Sequence, residues 1–305
     1  MDVIANWNPD NASIPPVHYD SLCHFDYRTE AEYAMNYRQA DKPFVVYNVP
    51  SLEEVVERWS DLDYLDGRLQ GRKYRSETSK DNHFMYWRRV VGAGERFRDR
   101  QGRAWTQPTH EEDYTFEEFL KVAVSGHNVE LEKRKHVYFR VTAMNRERGD
   151  NSWLFDELPF FKPVNQSLFM VDPTKQQGIH CRFGMNSLIA EDHYDGSLNF
   201  VAMVSGLRRW ILAHPNQCSG MYLLPRAHPS GRHSEVDWSK PDLNTYPKFV
   251  EVRVNEVILK PGDVLYVPTS WFHVIESLSI NCQCNTRSGR TKTYDADLAK
   301  CGFKS

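Results

Sequence analysis

Hydrophobic and polar positions along the chain change period near residue 177. Before that point apolar residues recur at helical spacing. Thr29-Glu30-Ala31-Glu32 predicts a helix start leading into Tyr33, Ala34 and Tyr37. Ser51-Leu52-Glu53-Glu54 has the form of a capping box, in which serine and glutamate satisfy the free amides of a first turn. It opens a helix carrying Val55, Val56, Trp59 and Leu62, and Thr115-Phe116-Glu117-Glu118 opens a third with Phe119, Leu120 and Val122. Between them, 44–47 and 137–141 are short β-prone runs. Beyond residue 177 short runs rich in β-branched and aromatic residues follow one another at 199–204, 207–212, 249–259, 264–267 and 279–284. Residues 250–254 alternate strictly, the mark of a half-buried strand, and Pro261-Gly262-Asp263 is a turn between two strands. This pattern predicts a mainly β fold: a barrel-like core on an N-terminal α/β support. A small barrel encloses room for one small ligand.

Composition narrows the class. The chain has 305 residues, 40% hydrophobic and 26% charged, with a net charge of -3. Such values exclude wholesale disorder, collagen and coiled coil. No run approaches the roughly 20 apolar residues that span a bilayer. The start, Met1 to Trp7, lacks the basic and apolar regions of a secretion signal, so a cytoplasmic or nuclear protein without membrane association is expected. Six cysteines occur without a CxxC pair, which predicts free thiols in a reducing compartment, with Cys282 and Cys284 on one strand face. Eleven basic residues between Arg68 and Ala104 face only Glu77, Asp81, Glu95 and Asp99. The stretch 68–104 is either a solvated face or a docking patch for an acidic polypeptide. No nucleic-acid-binding motif accompanies it, which argues against a nucleic-acid partner.

One segment carries chemistry: Glu191-Asp192-His193-Tyr194-Asp195-Gly196. Strand alternation puts His193 and Asp195 on one face. His273, in Trp271-Phe272-His273, follows the turn and strand of 261–268, and a barrel can bring it beside His193. Two imidazoles and one carboxylate with other positions open form the facial triad of non-haem Fe(II) oxygenases. His-x-Asp alone is a weak signal; the distal histidine strengthens it.

From about Tyr138 to Arg287 the sequence resembles the JmjC family of 2-oxoglutarate-dependent Fe(II) oxygenases, most of all the asparaginyl hydroxylase of hypoxia-inducible factor. The matching runs are His193-Tyr194-Asp195, Asn199-Phe200-Val201-Ala202, 206–212, 232–237 and 261–268, then Trp271-Phe272-His273 and 275–278. The resemblance implies a double-stranded β-helix (jelly-roll, cupin-like) core over 136–290. Residues 1–135 would then be its support and 291–305 a short tail. His193, Asp195 and His273 match the iron ligands. Arg208 stands where the family has a lysine for the distal carboxylate of 2-oxoglutarate, which arginine can bind bidentately. Its neighbour Arg209 is expected on the opposite, outer surface. Tyr138 matches a tyrosine contacting the same carboxylate. Asn199 and Asn285 match polar positions near the cosubstrate, with Asn281 a rival to Asn285. Ala190 replaces a threonine and Arg287 a tryptophan; neither departure is expected to touch the metal. Arg232 and His233 align with an Arg-Gln pair on the substrate side. Histidine pairs less well than glutamine with a primary amide, which argues against an asparagine target.

The implied cofactors are Fe(II), 2-oxoglutarate and O₂, and the implied reaction hydroxylates a protein or peptide side chain with release of succinate and CO₂. Demethylation of N-methyl-lysine, a cupin enzyme with another metal, and a non-catalytic cupin-like binding protein are the alternatives. Tyr194, Trp210, Trp271 and Phe272 either line the centre or pack the core. The short tail can form only a brief helix over 294–300, which favours a monomer over the family-type dimer.

Overall fold

Short apolar strands with turns between them pair into two facing sheets. The computed structural model describes residues 18–99, 102–126, 129–130, 133–144, 149 and 151–303. In chain order, β1 (His18–Ser21) and β2 (Cys23–Asp26) lead into α1 (Tyr27–Gln39), β3 (Phe44–Tyr47), α2 (Pro50–Trp59) and α3 (Leu62–Leu69). Then come β4 (Tyr74–Ser79), β5 (His83–Phe84), the one-turn α4 (Ala93–Arg96), β6 (His110–Tyr114), α5 (Phe116–Ser125) and β7 (His136–Ala143). After α6 (Leu154–Glu157) follow β8 (Gln176–Gly184), β9 (Ile189–Tyr194), β10 (Asn199–Ser205) and β11 (Arg208–Ala213). The one-turn α7 (Cys218–Met221) precedes β12 (Arg253–Leu259), β13 (Val264–Val267), β14 (Phe272–Ser277), β15 (Asn281–Ser288) and α8 (Asp295–Ala299).

The last eight strands divide between the sheets. One sheet has the order β1-β12-β11-β14-β9-β5, the other β2-β3-β13-β10-β15-β8-β7-β4-β6. The four-stranded inner part of each, β12-β11-β14-β9 and β13-β10-β15-β8, is antiparallel throughout. This is the expected jelly-roll, mainly β with helices. Strands from the first half of the chain extend both sheets at their edges, which covers edges that would otherwise invite pairing with other chains. Between the sheets lie Val201, Trp210, Leu212, Leu265, Val267 and Ile275, all buried. Outside the larger sheet, α5 packs Phe116 and Phe119 on Phe139 and Phe183, with ring centroids 5.3 to 6.4 Å apart.

Local rules hold where side chains can reach their targets. Thr115 and Glu118 form the reciprocal cap of α5. At α2 they do not: Pro50 starts the helix and Val49 is the N-cap, so Ser51 already sits inside the first turn. Helix α1 begins at Tyr27, two residues before the predicted Thr29, because the Asp26 carboxylate accepts from the Arg28 amide at 2.8 Å. The run 250–254 is only partly a strand, since Pro247–Glu251 turns as a 3-10 helix and β12 starts at Arg253.

Two expectations are corrected. Arg209 is buried: β11 is an inner strand, and Arg209 is registered opposite Glu276 while its Nε donates to Glu256. Four cysteines are paired, Cys181 with Cys284 and Cys218 with Cys301, leaving Cys23 exposed and Cys282 buried as free thiols. The first bridge joins residues directly opposite in the β8–β15 register although they lie 103 positions apart. Nothing in the local sequence reveals that pairing.

His136, at the start of β7, is fully buried and neither ring nitrogen has a hydrogen-bond partner. Burial, with the Arg134 charge nearby, pushes its pKa down to about 4. An unfolded histidine titrates near 6.5, so protons favour the unfolded chain in the interval between. The stabilising contribution is complete above about pH 6.5 and is lost as pH falls towards 4. Urea denaturation is expected to show a loss on the order of 1–3 kcal/mol from this site between pH 7.5 and 4.5. His136→Phe should shrink that difference. His180, also lowered to about 4 by burial and Arg182, contributes in the same direction. An unchanged pH profile in the variant would refute the assignment.

Candidate metal centre

β9 and β14 are neighbours in the smaller sheet, and their register sets His193 directly opposite His273. The ring centroids are 4.3 Å apart. Asp195 follows immediately after β9. One ligand atom from each of His193, Asp195 and His273 lies within 4.8 Å of the others. The three residues that the sequence placed in one set are therefore brought together.

Hydrogen bonds set the protonation of each member. His193 Nδ1 is 2.8 Å from the Glu191 carbonyl oxygen and His273 Nδ1 is 3.0 Å from that of Trp271. A carbonyl only accepts, so each Nδ1 carries the proton and each Nε2 keeps its lone pair for a metal. Burial holds both pKa values below the usual histidine range; at His193 the neighbouring His273 and His233 add to it. Both imidazoles are thus neutral. Burial alone would raise the Asp195 pKa, but the Arg287 charge and its hydrogen bonds hold it well below the usual carboxylate range.

Arg287 corrects an expectation. Its Nε and Nη2 donate to Asp195 Oδ2 at 3.0 and 2.7 Å, so the replacement at this position does reach the centre. Asn199 Nδ2 donates to the same oxygen at 3.2 Å, leaving Oδ1 for a metal. A chain of hydrogen bonds then runs outward. Asn285 Nδ2 donates to Asn199 Oδ1 at 2.9 Å, and Arg182 Nη1 donates to Asn285 Oδ1 at 2.9 Å.

The centre opens into a cavity of about 470 Å³, whose wall includes Tyr138, Arg140, Arg182, Asn285 and Trp210. Arg140 is paired with Glu77 at 2.7 Å, and Arg287 with Asp195. Arg182 meets no carboxylate among the described residues. Burial and the nearby Arg140 lower its pKa to about 10, so it stays charged at neutral pH. Sequence reasoning missed it. Arg182 sits in β8 between buried Cys181 and Phe183, where alternation turns it to the other face; only the fold shows that this face is the cavity.

Arg208 is elsewhere. It is fully buried behind Tyr138, donating from Nη1 to the tyrosine oxygen at 2.9 Å and from Nε to Asn281 Oδ1. It is not on the cavity wall. Gly184 makes room for it, since a Cβ there would lie 2.7 Å from Arg208 Nη2. The two rival asparagines therefore have separate places, Asn281 on the Arg208 guanidinium and Asn285 on the cavity wall. His233 stacks on His193 with centroids 5.0 Å apart, and its Nδ1 is 3.0 Å from the Ser230 carbonyl oxygen. Burial lowers its pKa to about 4, so it too is neutral. Arg232 lies on the same wall, 6.0 Å from the Tyr194 ring. Of the four aromatics considered, Tyr194 and Trp210 line the cavity, whereas Trp271 packs against His214 and Tyr294, and Phe272 against Tyr194.

Residues 29–287 match the cupin-like domain family. The chain belongs to it. Among curated proteins it is 32% identical over 187 residues to tRNA wybutosine-synthesizing protein 5 of Danio rerio, covering 59% of this chain and 55% of that protein. It is 22% identical over 243 residues to Jumonji C domain-containing protein 5 of Drosophila melanogaster, covering 78% and 52%. A segment of 107 residues is 31% identical to lysine-specific demethylase JMJ31 of Arabidopsis thaliana, covering 34% and 20%. The cupin-like chain thus spans about half the length, or less, of these relatives. Among its described residues no helix is long and apolar enough to cross a membrane.

Proposed function

We propose that this cupin-like protein is an Fe(II)- and 2-oxoglutarate-dependent oxygenase that hydroxylates a side chain of a protein or peptide, with release of succinate and CO₂. The observation that carries this reading is the buried His193–Asp195–His273 set, with both Nε2 atoms free, opening onto a cavity that holds an arginine without a carboxylate partner. Fe(II) held there would supply the redox chemistry by which O₂ oxidatively decarboxylates 2-oxoglutarate and oxidises a C–H bond.

The chain's own residues do the positioning. Arg287 and Asn199 occupy Asp195 Oδ2 and so fix the orientation of the carboxylate. Outer partners of this kind typically matter 10–100-fold for metal affinity or activity. 2-Oxoglutarate carries two negative charges. Arg182, Asn285 and the Tyr138 hydroxyl offer its carboxylates a cation and polar partners, while Arg208 supports Tyr138 from behind. Tyr194 and Trp210 keep water from the oxidising centre, and Arg232 and His233 face the incoming target. The arginines of this cavity disfavour a cationic N-methyl-lysine as target, the alternative suggested by the name of one relative.

The test is turnover with Fe(II), 2-oxoglutarate and O₂, followed as succinate, with and without a chelator. Mass spectrometry of proteins captured by an inactive variant then reads whether a target gains an oxygen atom or loses a methyl group. Metal-dependent succinate and a gained oxygen are expected. Absence of both turnover and 2-oxoglutarate binding would overturn the oxygenase reading, and loss of a methyl would replace hydroxylation by demethylation.

A further inference from the structure

Beside the metal cavity lies a second pocket of about 390 Å³ whose walls carry Arg88, Arg226, Arg232 and Arg290 against a single carboxylate, Asp295. The two cavities share Tyr86, Tyr194, Gly196 and Arg232, so they abut at one rim. Arg290 is paired with Asp295 at 2.9 Å, and Arg88 is used structurally, its Nη2 donating to the Arg226 carbonyl oxygen at 3.1 Å. The Arg226 and Arg232 guanidiniums donate to no protein acceptor among the described residues. The Arg232 guanidinium lies over the ring of Tyr194, 6.0 Å from its centroid.

The backbone around this pocket is held away from its easiest conformations. Arg232 and Ser270 both have left-handed backbones, with φ of 79° and 74°. Gly231 between the arginines is wrapped so tightly that a Cβ would lie 3.0 Å from the Arg226 carbonyl oxygen. Conformations of this kind cost free energy and persist where surrounding structure enforces them, commonly at ligand sites. Here they border a pocket lined by two guanidiniums without a carboxylate partner, at the rim of the candidate metal centre.

Resting on the oxygenase reading above, we propose that this pocket is a subsite for an acidic side chain of the polypeptide substrate, Asp or Glu, within about two residues of the oxidised one. The reach follows from strand geometry, roughly 3.3 Å per residue, across a shared wall. Arginine forks bind carboxylates bidentately, which gives both affinity and register. The exposed Tyr86 offers an apolar face for the intervening chain. A pocket of this size takes a single side chain, whereas nucleic-acid affinity is built from several phosphate contacts along a backbone.

The test uses a fluorescein-labelled hexaglutamate peptide, a hexaglutamine control and a labelled oligouridylate, with binding read by fluorescence polarisation at low and physiological salt. The full chain is expected to bind hexaglutamate in preference to both others. Arg226→Gln/Arg232→Gln should weaken that binding at least about tenfold, while Arg75→Gln, at an exposed arginine outside the pocket, should not. Absence of hexaglutamate binding, or equal binding by the double variant, overturns the proposal. Tighter oligouridylate binding that the same double variant loses overturns it in favour of a nucleic-acid substrate. Succinate formed from 2-oxoglutarate without any peptide separates the two readings. If turnover is present but hexaglutamate fails to bind, the subsite alone falls. If metal-dependent turnover and 2-oxoglutarate binding are both absent, the oxygenase reading falls, while the polarisation result still decides what the pocket binds.

Discussion

His193→Ala is expected to abolish metal-dependent succinate formation and to weaken Mn(II) binding, the probe for the site, by more than about 100-fold. Changes to outer partners already cost 10–100-fold, and this substitution removes one of the three side chains proposed to hold the metal. It should leave the fold standing, because the side chain's polar contact to the protein is its Nδ1 bond to the Glu191 carbonyl. Thermal denaturation of the variant checks this, and calorimetric titration with Mn(II) reads the affinity. Asp195→Ala should behave alike at the metal, but it also strands Arg287, whose Nε and Nη2 bonds both go to Asp195. A greater loss of stability is therefore expected there than at His193. Wild-type Mn(II) affinity in His193→Ala would show that the metal is held by other groups, with the stacked His233 the first to examine.

The second large effect separates two arginines. Arg182→Met is expected to raise the KM for 2-oxoglutarate about 10- to 100-fold, since a charge-assisted hydrogen bond contributes roughly 1.5–3 kcal/mol. Its melting temperature should change little, because the side chain is only half-buried and its one protein acceptor is Asn285. Arg208→Met should do the reverse. It removes a fully buried guanidinium and leaves Tyr138 and Asn281 without their donor, so stability falls while the effect on KM is the smaller of the two. Steady-state kinetics and thermal denaturation of both variants make the comparison. A larger KM increase for Arg208→Met, with an unchanged melting temperature, would exchange the two roles.

Local information carried the sequence reading a long way. The Thr115 cap, the turn at 261–263 and strand β13 stand where pattern and turn chemistry put them. Failures occurred where a longer-range term outweighed the local one. Pro50 took the helix start from Ser51, and cross-strand carboxylates drew Arg209 inside. At the site, His193 and Asp195 were legible from their spacing of two, and His273 from the block after the 261–268 turn and its resemblance to the family's third ligand. Arg208 was legible as a position, yet its place behind Tyr138 was not.

By itself, then, the sequence determined the alternation of faces, the turns, the jelly-roll class and the three residues able to hold a metal. The tertiary structure alone decided which strand lies opposite which. That register puts His273 on His193, Arg287 on Asp195, Cys284 on Cys181 and Arg182 at the cavity wall. The physical reason is that a period of two residues tells a side chain which face to occupy but says nothing of its partner across the sheet. Partners are chosen by the packing of two whole sheets, in which each pairing gains little unless the others form as well.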